Sequence, residues 1–429
     1  MSSTLLKFPR LNAPKLQHLP NGLTIVAEQM PVEAVNLNLW VNVGSAKESD
    51  DINGMAHFLE HMIFKGTERL ANGEFERIIE EHGAITNAAT SQDYTHYYVT
   101  AAPQDFAKLA PLQIDVVMNA CIPDDAFERE RLVVLEEIRR SDDNPQRRTF
   151  GHVMETAFEN LPYRRSVLGP EAVISQLQVQ QMRSFHAQQY QPKSITAVAV
   201  GNLPEEELIE IIAESFTNLE TRNVTNIETQ HIASHKLEPA FTEIVRTECV
   251  DDSLQQARLI MLWRVPGLIH LNQTYSLDVL SAILGHGRIS RLWRDLREER
   301  ELVNYISVNN MTNQLQGTFY IAAHCKVENL ALVEEAIVQH IRKIQIEIDS
   351  SEIKRVRKRV ANRFIFANER PSDRANLYGY YQTLVGDLEP AFDFPYHIQA
   401  QDADTLMQAA KQYLSTDAYG VVVMKPQKN

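Results

Sequence analysis

The alternation of apolar and polar residues predicts several β-strands in the first half of the chain. Residues 22–29 and 195–201 are rich in β-branched side chains, and residues 35–43 alternate strictly between apolar and polar positions. Strict alternation is typical of a half-buried strand, which has one face against the core and the other face in water. Residues 86–101 alternate in the same way and predict one strand or a hairpin of two.

Helical periodicity occupies the segments between these strands. It predicts helices over residues 72–82 and 104–119, and a longer helix over residues 123–141. The longest begins at a proline, which suits the first turn of a helix, and ends before residues 142–145, Asp-Asp-Asn-Pro, which cannot continue it. A shorter apolar helix is predicted within residues 53–67 and ends near a Gly-Thr pair, since glycine is common just beyond a helix end.

The second half of the chain repeats the pattern of the first. Residues 39–40, Leu-Trp, recur at 262–263, and residues 189–190, Gln-Tyr, recur at 412–413, in each case beside a predicted strand. Further pairs recur at nearly the same offset, which is close to half the chain. Repeats in one register predict the duplication of a single α+β domain.

The predicted fold class is therefore α+β, with two duplicated domains that each consist of a mainly antiparallel sheet packed with helices. A polar stretch with few apolar residues lies near the middle of the sequence and predicts a linker over residues 221–238. The two predicted domains then cover residues 1–220 and 239–429.

The charge balance narrows the classes of partner. The chain has a formal net charge of -14 at pH 7, which argues against nucleic acid or an anionic membrane as the main partner, because binding to phosphates needs clustered Lys and Arg. No apolar run approaches the length of a membrane-spanning helix. We therefore expect neither a nucleic-acid-binding protein nor a membrane protein.

The three cysteines, Cys121, Cys249 and Cys325, are widely spaced and odd in number. They form neither a disulfide framework nor a zinc knuckle, which favours a reducing compartment. Residues 1–15 contain no apolar core of a signal peptide. We expect a cytoplasmic protein, with a short cleaved transit segment as the alternative.

The candidate chemistry lies in the predicted apolar helix, where His57, Glu60 and His61 occupy positions i, i+3 and i+4. These positions share one face of an α-helix, because the helix turns about once every 3.6 residues. Two imidazoles one turn apart can bind one metal ion, and the adjacent carboxylate can act on a water bound to that metal. The surrounding side chains are apolar, so the helix is expected to be buried, and a zinc ion would satisfy both histidines at once.

The alternative reading of His57 and His61 is a pair of hydrogen-bonded core histidines, but the apolar setting is what a dry metal site needs. A zinc site with three protein ligands needs one more residue, and the long predicted helix offers Glu136 and Glu137. Glu137 falls on the apolar stripe of that helix and is expected to face the metal. Glu136 is expected to lie at a solvated edge.

Several segments together resemble the inverted-zincin metallopeptidases of family M16, which includes pitrilysin and the mitochondrial processing peptidases. They are the stretch Gly-Met-Ala-His-Phe-Leu-Glu-His from Gly54 with Glu137 downstream, residues 87–91, residues 290–292 and residues 296–300. The resemblance is to the smaller two-domain bacterial branch of the family and extends over most of the chain, the duplication included.

The resemblance implies roles for individual residues of the first half. His57, His61 and Glu137 match the zinc ligands of the family, and Glu60 matches its general base. Glu130 matches a second acidic residue of the long helix, which supports the ligands from behind. The resemblance thus implies one Zn²⁺ per chain and a zinc metalloendopeptidase that hydrolyses peptide bonds.

The resemblance also implies a strand that the peptide substrate lies against. The residues that match it are Asn87, Ala88, Ala89 and Thr90. A substrate added to a sheet edge is held by backbone hydrogen bonds, so cleavage can tolerate many sequences.

The second half departs from the family at one position. Family members often carry an arginine there and, seven residues later, a tyrosine, and both contact substrate. Here Arg297 is present, but Asn304 occupies the tyrosine position, Tyr305 follows one residue late, and Glu301 replaces the usual glycine. A slip of one residue turns a strand side chain to the opposite face, so either a local insertion restores Tyr305 or this half lacks the tyrosine's function.

The leading functional hypothesis is a zinc endopeptidase that cuts peptides or unfolded segments inside a closed chamber. The alternatives are a non-catalytic structural or assembly subunit, and a processing peptidase that removes targeting sequences. The chamber typical of the family needs four domains. A chain of two domains is therefore expected to form a homodimer, or a heterodimer with a second M16-like subunit.

Overall fold

The computed structural model describes residues 13–219 and 236–427. It is a mixed α/β fold of two domains, and each domain contains one sheet covered by helices. This confirms the predicted α+β fold class. Most of the predicted linker, residues 221–235, lies outside the described residues, so the linker and the domain limits stay predictions.

The described part of the first half, residues 13–219, forms a six-stranded sheet with its helices. The strands are β1 (Lys15–His18), β2 (Thr24–Gln29), β3 (Val35–Val41), β4 (Ile85–Thr90), β5 (Thr95–Ala101) and β6 (Ile195–Gly201). The helices are α1 (Met55–Ile63), α2 (Glu74–Glu81), α3 (Pro103–Met118), α4 (Asp124–Asp143), α5 (Pro145–Ala157), α6 (Glu171–Ile174), α7 (Val179–Gln189) and α8 (Glu205–Thr217). The alternating stretch that predicted one strand or two is thus the hairpin of β4 and β5.

The described part of the second half forms a five-stranded sheet with its helices. The strands are β7 (Val245–Val250), β8 (Ala257–Pro266), β9 (Val303–Met311), β10 (Gln316–Cys325) and β11 (Gly420–Lys425). The helices are α9 (Tyr275–Gly285), α10 (Leu330–Ile346), α11 (Ser350–Phe366), α12 (Pro371–Leu384), α13 (Glu389–Ala400) and α14 (Ala403–Tyr413). A π-helical segment, Trp293–Glu299, precedes β9. Within the described residues no helix is long and apolar enough to cross a bilayer.

The two sheets have the same topology. The strand order is β2-β6-β3-β5-β4 in the first sheet and β7-β11-β8-β10-β9 in the second, with β1 added beside β2. In each sheet the first of these pairs is parallel and the other pairs are antiparallel. This correspondence is what duplication of one domain produces.

Strand β3 is buried on both faces, so the prediction of a half-buried strand was wrong. All seven residues of β3 are buried, because α12 of the second half covers the face that was expected to meet water. Asn38 Nδ2 donates a hydrogen bond to Asn376 Oδ1 of that helix at 2.7 Å. Trp40 packs against Gly379, where an added Cβ would lie 2.0 Å from the indole Nε1.

Each half contributes one helix to the sheet of the other half. Helix α12 packs on β3 and β6, and helix α5 packs on β8 and β11. Each exchanged helix also carries an arginine that binds a buried carboxylate of the other half, Arg374 with Glu28 and Arg148 with Asp251. The two halves therefore share apolar cores and buried ion pairs, which couples the position of one to the other.

Candidate active site

Helix α1 presents His57 and His61 on one face, with Glu60 beside them. It begins after Gly54, whose φ of 96° is left-handed, a conformation that glycine adopts without steric cost. Seven of the nine residues of α1 are buried, His57 included. The helix is therefore embedded in the core of the first domain, as the apolar pattern predicted.

Three candidate ligand atoms converge beside α1. Glu137 Oε2 lies 3.5 Å from Nε2 of His57 and 3.5 Å from Nε2 of His61, and the ligand atoms of all three residues lie within 4.8 Å of one another. Bonds of about 2.0–2.2 Å in a tetrahedral arrangement place neighbouring zinc ligands roughly 3.3–3.5 Å apart. The two distances from Glu137 match this spacing, so the three side chains can hold one zinc ion, and a tetrahedral ion with three protein ligands has one position left.

Helix α4 points its two adjacent glutamates in different directions, as its periodicity predicted. Glu137 is partly buried and faces the histidines, whereas Glu136 is exposed and pairs with Arg140 at 3.1 Å. Helix α4 packs directly on α1, where the rings of Phe58 and Phe127 stack with centroids 4.6 Å apart. This aromatic contact holds the two helices together close to the candidate metal site.

Glu130 supports the site from behind His61. His61 Nδ1 lies 3.1 Å from Glu130 Oε1, so this nitrogen can donate to the carboxylate and leave Nε2 available to a metal. Lys65 Nζ lies 2.8 Å from the other oxygen. Although burial alone would raise the pKa of Glu130, Lys65 and His61 lower it overall, so the carboxylate stays charged.

The two histidines differ in their tendency to take up a proton. Burial, reinforced by the charge of His61, lowers the pKa of His57 to about 4, so His57 is neutral at neutral pH. Burial also opposes a charge on His61, but hydrogen bonds with Glu137 and Glu130 raise its pKa overall. Neutral imidazole is the form that binds metals, and His57 is already in that form.

Glu60 lies beside the three candidate ligands but is not part of their cluster. Thr90 Oγ1 donates a hydrogen bond to Glu60 Oε2 at 2.5 Å. Burial raises the pKa of Glu60, and the bond from Thr90 offsets part of this rise. A carboxylate with a raised pKa, held in one orientation, suits a general base that works near neutral pH.

The site opens into a cavity of about 1390 Å³ that both halves line. The first half contributes His57, Glu60 and Glu137, and the second half contributes alternate residues of β8, β9 and β10. Pockets for small molecules commonly measure about 300–1,000 Å³. The larger volume suits a segment of peptide chain.

Within the described residues, strand β4 is an edge of the first sheet and pairs only with β5. Of its predicted substrate-binding residues, Ala89 and Thr90 line the cavity, whereas Asn87 and Ala88 do not. Asn87 is exposed, and Ala88 packs against the core of the domain. The structure therefore brings two of the four residues to the cavity, on an edge that can pair with an extended peptide.

Tyr305 also lines the cavity, despite its shift by one position. In the pairing of β9 with β10, Tyr305 is opposite His324, and the next pair is Val303 with Cys325. Asn304 is thus the extra residue of a β-bulge, which resets the alternation of the strand. The sequence left open whether a local insertion restores Tyr305 or the tyrosine's function is missing. The structure contains the local insertion, and it turns Tyr305 to the cavity.

Arg297 lies away from the cavity within one chain. Its guanidinium sits 4.2 Å from the ring centroid of Trp293 in the π-helical segment, and it is not among the described residues that line the cavity. The structure therefore brings Tyr305, but not Arg297, to the candidate site. Glu301, which follows this segment, has a φ of 50°, and this left-handed conformation accounts for the glycine usual at that position.

Glu48 is a buried carboxylate at the N-terminus of α1 that the sequence analysis missed. It accepts hydrogen bonds from the backbone N–H of Gly54 at 2.8 Å and of Ala56 at 2.7 Å, and from Asn53 Nδ2 at 2.9 Å. Helix N-termini leave such N–H groups without partners inside the helix, and α1 has no side-chain bond from its own N-cap residue. Burial raises the pKa of Glu48 to about 7. Its place in a polar loop gave no signal of this role.

Replacing Glu48 with alanine should lower the free energy of unfolding by about 2–4 kcal/mol, because three buried donors lose their acceptor. Urea unfolding of the purified chain measures this change. The exposed Glu33 provides the matched control, and Glu33→Ala should change the free energy of unfolding by less than about 0.5 kcal/mol. Equal losses in the two variants would contradict the capping role of Glu48.

Two family models match the chain one after the other. The model described as insulinase (peptidase family M16) matches residues 24–171, and the model described as the peptidase M16 inactive domain matches residues 176–360. The first match contains all three candidate ligands and Glu60. The second match contains the β9 and β10 wall of the cavity.

Relatives match over nearly the whole chain. The zinc protease PqqE of Helicobacter pylori is 28% identical, over 95% of this chain and 92% of that protein. A probable mitochondrial-processing peptidase subunit beta of Arabidopsis thaliana is 26% identical, over 94% of this chain and 77% of that protein. The crystal structure of a protease from Helicobacter pylori superposes with a TM-score of 0.88 at 27% identity and covers 96% of this chain and 99% of that chain.

Proposed function

Because the chain belongs to peptidase family M16, we propose that it is a zinc-dependent endopeptidase that hydrolyses peptides or unfolded segments inside an enclosed chamber. The observation that carries the proposal is the convergence of His57, His61 and Glu137 beside Glu60 at the wall of a cavity. A protein with a purely structural role has no need of this complete set of groups.

Zinc would be held by Nε2 of His57, Nε2 of His61 and Oε2 of Glu137, the atoms that converge. When bound, the ion supplies a Lewis acid that polarises the scissile carbonyl and lowers the pKa of water. Glu60 accepts the proton of the attacking water on its carboxylate and returns it to the leaving amine. Thr90 keeps Glu60 in place through its hydrogen bond.

Substrate is held by the free edge of β4 in this proposal. An extended peptide can add to that edge through backbone hydrogen bonds, with Ala89 and Thr90 next to the zinc site. Such binding depends little on side chains, so it suits unfolded segments of varied sequence. The removal of targeting sequences from other proteins uses the same chemistry. It is the second candidate function, because the chain is similar to a probable processing-peptidase subunit.

We further propose that the active form is a dimer. The cavity has walls from both halves of one chain, and a second two-domain subunit would close it and exclude bulk water from the reaction. The second subunit is either another copy of this chain or a different M16-like chain. A different M16-like chain would supply the substrate-binding arginine, because Arg297 lies away from the cavity in this chain.

The purified chain should contain about one zinc ion per polypeptide, as expected for three protein ligands around a single ion. It should cleave an unfolded protein such as reduced casein. A chelator should stop cleavage and added zinc should restore it, as measured by metal analysis and peptide release. Light scattering on the same sample gives the oligomeric state. A fully active monomer would contradict the enclosed chamber, and a zinc-loaded chain that cleaves only with a co-purified subunit would identify a heterodimer.

A further inference from the structure

A row of three polar side chains crosses the wall of the cavity that the second half provides. Tyr305 on β9 is paired with His324 on β10, and His324 is paired with Arg258 on β8. All three residues line the cavity that contains His57 and Glu60. Side chains paired directly across neighbouring strands point to the same face of a sheet, so the row faces the space that a substrate would fill.

Arg258 has no carboxylate partner in the described part of the chain. Among the described residues its side chain makes one hydrogen bond, from Nη1 to the Thr149 hydroxyl at 3.4 Å, and no acidic oxygen lies within 4.0 Å of its guanidinium. The side chain is partly buried. A guanidinium carries five N–H donors and cannot lose its charge in a protein, so most of its donors are available to a ligand.

Asp251 acts electrostatically on Arg258, but it is already bound to another arginine. Asp251 is buried and binds Arg148 at 2.5 Å, and it also accepts a hydrogen bond from the Ser253 hydroxyl at 2.6 Å. Arg148 and Arg258 therefore lie near one carboxylate that the first of them binds directly. Glu155 also lines the cavity, but it is exposed and pairs with His152 at 3.1 Å. Among the described residues of this corner, Arg148 is bound to a carboxylate and Arg258 is not.

Two aromatic rings lie beside Arg258 in this row. The rings of Tyr305 and His324 lie 4.8 Å apart between centroids. Burial, followed by the charge of Arg258, lowers the pKa of His324, so the imidazole is neutral at neutral pH. His324 and Tyr305 thus add a flat surface and hydrogen-bonding groups beside the guanidinium.

We propose that Arg258 is the anchor of a carboxylate-binding subsite in the chamber, which holds a carboxylate of the peptide substrate while another part of the peptide reaches the zinc site. This inference rests on the proposed peptidase function and deepens it, because it names the chemistry that the chamber prefers. A planar guanidinium matches a carboxylate with two parallel hydrogen bonds. The carboxylate comes either from an Asp or Glu side chain or from the C-terminus of the substrate.

Peptide binding tests the proposal without depending on cleavage. The probes are matched pools of short, fluorescently labelled peptides, bound to the zinc-loaded Glu60→Gln chain and followed by fluorescence anisotropy. One pool carries a single Glu and an amidated C-terminus, a second carries Gln in its place, and a third carries Gln and a free C-terminal carboxylate. One of the two carboxylate pools should bind about tenfold more tightly than the Gln amide pool, as a charge-assisted pair of hydrogen bonds provides. The pool that does so identifies the source of the carboxylate.

Matched variants assign the preference to Arg258. In Arg258→Met, or in Arg258→Gln if the first variant is unstable, the tenfold preference should disappear, and Arg258→Lys should keep part of it. Arg342→Met removes the same charge from an exposed position outside the cavity and should leave the preference unchanged. Because a free carboxylate can also bind zinc itself, a preference that survives Arg258→Met would overturn the proposal. Equal binding of all three pools to the Glu60→Gln chain would do so as well.

Failure of this inference and failure of the proposed function give different results. If the Glu60→Gln chain prefers a carboxylate pool through Arg258 but the zinc-loaded chain with Glu60 intact cleaves none of the peptides, the result would support the subsite and contradict the peptidase. A chain that cleaves the carboxylate and amide pools equally well, with no effect of Arg258→Met on either, would support the peptidase and overturn the subsite.

Discussion

Glu60→Gln should abolish peptide hydrolysis while the chain keeps its zinc. Glutamine has nearly the same shape as glutamate but cannot accept the proton of the attacking water, and general-base catalysis contributes about 10²–10⁴-fold to rates of this kind. Glu60 does not belong to the cluster of candidate ligand atoms, so metal content should not change. Metal analysis and initial rates of peptide release, measured on the same sample, separate the two effects.

Variants of the two histidines distinguish the loss of a base from the loss of a ligand. His57→Ala and His61→Ala should each strip the metal as well as the activity, because each removes one of the ligand atoms that converge on the site. Glu60→Gln cleaving at the rate of the unaltered chain would show that the assigned mechanism is wrong. Loss of zinc from Glu60→Gln would instead move Glu60 from the role of base to that of ligand.

Glu137→Ala should weaken zinc binding much more than Glu136→Ala does. Glu137 Oε2 lies 3.5 Å from both imidazole nitrogens, whereas the exposed Glu136 pairs with Arg140. Adjacent residues of a helix point about 100° apart, so only one of the two can reach the metal. We expect the loss in Glu137→Ala to exceed the roughly 10–100-fold that removal of a supporting group outside the ligand shell costs.

Competition with a zinc-binding dye measures the affinity of each variant, and Glu136→Ala is the matched control because it removes the same charge from the neighbouring position. Its affinity should equal that of the unaltered chain. If Glu136→Ala lost zinc affinity and Glu137→Ala kept it, the third ligand would be Glu136. Helix α4 would then turn a different face to the site from the one described.

The amino-acid sequence alone determined the features that depend on local periodicity. The spacing of His57, Glu60 and His61 places them on one helical face in any α-helix, and the apolar residues around them require that helix to be buried. The preference for Glu137 over Glu136 follows from the same periodicity, and the structure has Glu137 at the histidines. The duplication was also readable, because each half must keep its own pattern of strands and helices in order to fold.

The tertiary structure decided the features that depend on contacts between distant segments. Strand β3 alternates like a half-buried strand, yet α12 of the other half covers its polar face, and no local pattern records which helix will do so. Glu48 caps α1 from a loop, and its role exists only where the folded chain brings its carboxylate to three buried donors.

The cavity wall shows the same division between local pattern and long-range pairing. The sequence showed that Tyr305 is one residue late, but a bulge at Asn304 is a property of how β9 pairs with β10, which neither strand determines alone. The row from Tyr305 through His324 to Arg258 likewise joins three separate strands. Residues so far apart in sequence become neighbours only through the register of the sheet, because register is set by the packing of whole faces and by the turns between strands.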